Sequence, residues 1–137
     1  MRNESLKTKI AVMGILLSLT TASSHAAVTR TLNENSANKT YSIKVGATFH
    51  LVLHSMYWTL NPLPSKSAVK TVGDPVGSAA PIGPGRPPGT GQGSLDWTLK
   101  AVRVGILTLQ ATRTSCGEAL MCSPDQSKFA VKIKVIK

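Results

Sequence analysis

The sequence is short of most of what catalysis, metal binding or membrane insertion would need. Acidic residues number only 6 in 137. Past the N-terminal segment they are Glu34, Asp74, Asp96, Glu118 and Asp125, none spaced as a catalytic carboxylate pair or a calcium loop. Cysteine is confined to Cys116 and Cys122, with no histidine close by, which is not a zinc pattern. Basic residues give a formal charge of +10, yet no lysine- or arginine-rich block exists, and Lys132, Lys134 and Lys137 read as the wet face of a strand. A solvated surface is therefore expected rather than a nucleic-acid site, although a basic domain can attract nucleic acid, anionic surfaces or acidic proteins. The apolar run Ile10 to Leu19 is about half of the ~20 residues that span a bilayer. No helical period appears after it.

The N-terminus has the layout of a secretory signal peptide. Arg2, Lys7 and Lys9 precede the apolar run, and Thr20 to Ala26 supplies small residues with Ser24 and Ala26 at the cleavage positions. Cleavage after Ala26 is expected, giving a leader over 1–26 and a domain over 27–137. The product would be secreted or periplasmic, and without membrane contact once the leader is removed. Roughly 110 residues allow one domain with one core. In an oxidising compartment Cys116 and Cys122 are expected to pair. A loop this short is worth ~2–3 kcal/mol in the chain-entropy model and would hold one segment rigid.

Alternation of apolar and polar residues recurs along the domain. Tyr41, Ile43 and Val45 face one way, as do Phe49, Leu51 and Leu53. The same holds for Leu95 to Ala101, Leu107 to Ala111 and Phe129 to Val135. Val28 to Leu32, Met56 to Leu60 and Ala68 to Val72 are shorter candidates, and Asn33 to Asn38 is a polar connector. About seven or eight short strands separated by turn residues predict an all-β, immunoglobulin-like antiparallel sandwich. Trp58 and Trp97 belong to its core, and Tyr57 faces outward or lies at a loop edge. Gly73 to Gly93 holds most of the glycine and proline and is expected as one long loop, in part polyproline II.

Two arrangements could carry chemistry, and neither is complete. Pro87 to Gly91 resembles the core of a phosphate loop, but Gln92 occupies the lysine position and a strand pattern follows in place of a helix. His50 and His54 share one face of a strand, with Ser55 adjacent, but no sharp elbow or orienting acid accompanies them. Exposed strand histidines are the expected outcome, with no enzyme activity, cofactor or metal.

From Tyr41 to Lys137 the order of features resembles the chagasin family of cysteine-protease inhibitors. The resemblance is carried by Val45-Gly46 before the Phe49 to Leu53 strand, and by Tyr57 to Leu60 around Trp58. Ala68 to Gly73, the cluster Gly89 to Gly93 before Leu95 to Ala101, Lys100 to Arg113, and Lys128 to Val135 complete it. It implies an immunoglobulin-like fold and inhibition without chemistry, in which three loops at one end fill the cleft of a papain-like cysteine protease. The first contact segment would be His54, Ser55, Met56 and Tyr57, lacking the family's N-P-T-T-G. The second would be Gly89, Thr90, Gly91, Gln92 and Gly93. The third would be Arg113, Thr114 and Ser115, leading into the Cys116–Cys122 loop, where the family carries R-P-W. A monomer is expected. The competing expectation is an immunoglobulin-like structural or adhesive module with no protease target.

Overall fold

Alternation has a direct physical consequence, because successive side chains of a strand leave opposite faces and a strand with one apolar face must bury it. The computed structural model describes residues 29–79, 92–117 and 120–137, and in it those apolar faces meet between two sheets. The expected leader over 1–26 lies outside the described residues, as do Gly89, Thr90 and Gly91.

Eleven strands are present among the described residues: β1 (Arg30–Leu32), β2 (Thr40–Lys44), β3 (Thr48–His54), β4 (Thr59–Leu60), β5 (Val69–Thr71), β6 (Val76–Ala79), β7 (Gly93–Ala101), β8 (Gly105–Thr112), β9 (Ser115–Gly117), β10 (Leu120–Met121) and β11 (Lys128–Ile136). One sheet has the order β1-β3-β7-β5, with β6 also on β7, and the other has the order β2-β11-β8-β4. β5 and β6 lie along the same edge of β7, pairing with its end and its beginning. β9 and β10 form a separate hairpin.

The inward faces are Phe49, Leu51 and Leu53 of β3, Trp97, Leu99 and Ala101 of β7, Leu109 and Ala111 of β8, and Phe129, Val131, Ile133 and Val135 of β11. Leu32, Ile43 and Val69 close the seam from the flanking strands, and Trp58 and Trp97 are both 6% exposed. The sandwich and its core thus follow the alternation.

Four local features differ from the sequence reading. The sheets are mixed, because β1 runs parallel to β3 and β2 parallel to β11. The chain swaps sheets between β1 and β2 through a single 3-10 turn, Glu34–Ser36, within the expected polar connector and capped by Asn33. Parallel neighbours without a helical crossover arise because each pair is made across that swap. Second, Gly73 to Gly93 is not wholly loop: Val76–Ala79 pairs with Gly93–Asp96, which a proline-free stretch between Pro75 and Pro81 permits. Third, Met56 to Leu60 is strand only at Thr59–Leu60. Ser55 has φ 112° and its Oγ accepts from the Tyr57 N–H at 3.2 Å, a turn that carries the chain from one sheet to the other. Fourth, the Cys-bounded segment, expected as a loop, carries the antiparallel pair β9–β10.

Leu51 is fully buried in β3, so Leu51→Ala should lose about 2–5 kcal/mol. Lys132→Ala, on the wet face of β11, should change stability by less than about 0.5 kcal/mol. Urea unfolding followed by tryptophan fluorescence measures both.

Candidate functional site

One end of the sandwich collects the segments singled out by the sequence. β3 ends at His54 opposite Ser94, the second residue of β7. The Ser55 N–H donates to the Gly93 carbonyl at 2.7 Å, so the first segment and the near end of the second are joined directly. Gly93 has φ 136°, a backbone conformation that favours glycine. Trp58 Nε1 donates to the His54 carbonyl at 3.0 Å, locking the ring beneath the turn.

The third segment reaches the same place from the other sheet. The Arg113 guanidinium lies 4.5 Å from the centre of the Trp58 ring, a cation–π geometry, and its Nε donates to the Gln126 carbonyl at 2.9 Å. Thr114 accepts from the Cys122 N–H at 3.1 Å, and Cys116–Cys122 form a disulfide. His54 to Tyr57, Gly93 and Arg113 to Ser115 are therefore brought to one rim, with Trp58 as the common post. Gln92 precedes Gly93 there and is exposed.

Two rim features are set by exposed apolar side chains. Leu120 and Met121, on the disulfide-bounded hairpin, are 66% and 87% exposed, which is unusual for residues of this size held in a strand. Their signal was the apolar pair immediately before Cys122. Met56 is also exposed, and its side chain covers Gly77 so closely that a Cβ placed there would meet its methyl carbon at 2.5 Å. The first segment is thereby keyed to β6.

The histidines have carboxylate partners, which corrects the expectation that no orienting acid is present. His50 Nδ1 lies 2.8 Å from Asp96 Oδ1, because Asp96 sits opposite Val52 and is thus diagonal to His50 on the same outward face. Glu34 accepts from the backbone N–H of His54 and, at 3.0 Å, from or beside its Nδ1. These acids are far away in sequence and arrive through strand register and the 3-10 turn. The arrangement remains short of a nucleophilic site, since the Ser55 hydroxyl accepts from Tyr57 and does not meet either ring among the described residues. No cluster of three metal-ligating side chains occurs among the described residues, and no helix there is long and apolar enough to cross a membrane.

Similarity to known proteins is confined to structure. No family model matches the chain, and no curated protein matches it in sequence. The cysteine protease inhibitor EhICP2 from Entamoeba histolytica superimposes with a TM-score of 0.57 at 14% identity, over 78% of this chain and 95% of that one. Amebosin does so with a TM-score of 0.55 at 16% identity, over 79% of this chain and 98% of that one. The fold is of the chagasin type. At these identities the likeness concerns the fold and leaves the loops to be judged on their own geometry.

Partial burial raises the Glu34 pKa, but the hydrogen bonds from the backbone and ring of His54 outweigh it and hold the carboxyl below the usual range. A carboxylate whose folded pKa is depressed adds stability above its unfolded pKa, and that stability is lost as pH falls through the folded value. Glu34→Gln should thus lower the melting temperature modestly at neutral pH, with the gap to wild type closing below the carboxylate range. Thermal melts across pH measure this, and a gap independent of pH would contradict it.

Proposed function

We propose that this chain is an exported inhibitor of papain-family cysteine proteases that occludes the active-site cleft with the segments His54 to Tyr57, Gly89 to Gly93 and Arg113 to Cys122. The observation that supports this most is that His54 and Arg113, remote in sequence, meet at Trp58, and that Ser55 beside them bonds to Gly93. The fold shared with an inhibitor of cysteine proteases is consistent with it.

The rim's parts suit occlusion of a narrow cleft. Glycine backbone around Gly93 can approach a partner closely, with no side chain in the way. The hairpin is closed by a disulfide, so Leu120 and Met121 lose less freedom on docking than a free loop would. Exposed aliphatic side chains beside a stacked arginine are the composition of an interface core. No nucleophile, metal or cofactor takes part, because inhibition of this kind needs only complementarity held in place.

The disulfide and the N-terminal leader pattern support export. Neither loop motif of the chagasin family recurs at the first or third segment, so partner choice would rest on the residues present: Met56, Tyr57, Leu120 and Met121.

Titration of the purified, oxidised domain against papain and a cathepsin L-type protease tests the reading. Saturable inhibition is expected, weakened about tenfold or more by Arg113→Ala and little by Lys39→Ala on the sheet flank. Cys116→Ser with Cys122→Ser should weaken it while the sandwich still folds. No inhibition at micromolar concentration, with the disulfide intact, would favour the adhesive-module reading.

A further inference from the structure

Five of the cations that look scattered in the sequence are gathered by the topology at the end of the sandwich opposite the rim. Here β2 meets β3 and β7 meets β8. The two turns touch, with the Gly46 N–H donating to Ala101 at 2.8 Å and the Ala101 N–H to Ala47 at 3.0 Å. Lys44, Lys66, Lys100, Arg103 and Lys134 stand on and around these turns, and all are exposed. None of them makes an ion pair in the described structure, where the two ion pairs are His50–Asp96 midway along the sheet and His54–Glu34 at the rim.

The acids lie elsewhere. Among the described residues, Glu34 is on His54, Asp96 is in the rim half of β7, Asp125 is beside Gln126, and Asp74 is midway along the β5–β6 edge. Lys70 is moreover directly opposite Lys100 in register. Like charges so placed repel each other, and neither is in an ion pair among the described residues.

Apolar side chains crown the same end. Val45, Val102, Val104 and Ile106 are 43, 37, 55 and 68% exposed, the first three on turns and Ile106 at the start of β8. A depression of about 430 Å³ is lined by Lys66, Ala68, Arg103, Val104, Gly105 and Ile106 among others. Cations that face no counter-charge, next to exposed aliphatics, match the layering of a lipid surface, with phosphate outside and hydrocarbon within. An acidic protein would use the lysines and leave the aliphatics unaccounted for.

From these placements we infer that the pole formed by the Lys44–Ala47 and Ala101–Ile106 turns docks on anionic phospholipid membranes. Phosphate headgroups sit by Lys66 and Arg103, and Val104 and Ile106 enter the acyl boundary. The sequence alone gave the opposite expectation, of no membrane contact after leader removal, because linear spacing does not show which lysines become neighbours. The inference is independent of the protease reading, since the rim points away from the bound surface.

The test uses the chain from Ala27 onward, which contains every described strand and the whole buried core and lacks the apolar run of the leader. It is co-sedimented with vesicles of phosphatidylcholine alone and of phosphatidylcholine with phosphatidylglycerol. Retention on the anionic vesicles only, falling with salt, is expected. Lys100→Glu with Arg103→Glu should lower partitioning roughly 30-fold or more, and Val104→Ser with Ile106→Ser about tenfold. Circular dichroism and melting show whether each variant is folded; if the charge reversal is not, Lys66→Gln with Lys134→Gln replaces it, with a loss of about tenfold expected. Equal retention on both vesicles, or retention on neither, overturns the proposal. So does sensitivity to the charge variant with none to the aliphatic one, which would indicate an acidic polymer or protein as the partner.

Discussion

Face-to-face burial of β3 and β7 against β8 and β11 is the constraint from which the rest of the molecule follows. Each of these four strands places every second residue in the seam, and the fully buried Phe49, Leu51, Leu53, Leu99, Leu109 and Ile133 leave no freedom of register. A slip of one residue would turn His50, Val52 and His54 inward and the leucines out. Strand ends are therefore fixed in space, and with them the segments that join or extend the strands. Glycine, proline and polar residues in those segments need not stabilise anything themselves.

Trp58 converts that general constraint into a particular rim. Its ring fills the end of the seam, its N–H takes the His54 carbonyl left over where β3 stops, and its face receives Arg113 from the opposite sheet. Two sequence-distant segments thus share one rigid support, with Gly93 joined to it through Ser55, while the surfaces they turn outward are free to differ from those of other proteins with this fold. Sequence identities of 14 and 16% at TM-scores above one half are what such a division would produce.

The parts legible in the sequence were those governed by a short repeat. Period-two alternation located β2, β3, β7, β8 and β11 and nearly all of the core. Features governed by register were not legible. Asp96 reaches His50 across 46 positions of sequence and Glu34 reaches His54 across 20, so neither acid could be assigned from spacing. The parallel pairing of β1 and β2 depends on a sheet swap within a few residues, and composition carries no trace of it. β6 escaped because Val76–Ala79 is exposed throughout and shows no alternation. It is held by edge pairing rather than by burial.

Charge distribution follows the same logic and separates the two ends. Successive strands of the sandwich return the chain, so residues far apart along it, such as Lys44, Lys100 and Lys134, collect at one pole, while Glu34 and Asp125 lie toward the other and Asp96 lies midway. A net charge summed over the chain hides this dipole-like arrangement, and with it any simple account of steering: the excess of cations would draw an acidic partner to the pole, not to the rim. Attraction by the whole field and recognition by the loops are therefore opposed unless the pole is occupied. A bound anionic surface would remove that conflict, neutralising the basic end and leaving Met56, Tyr57, Leu120 and Met121 directed at whatever meets the rim.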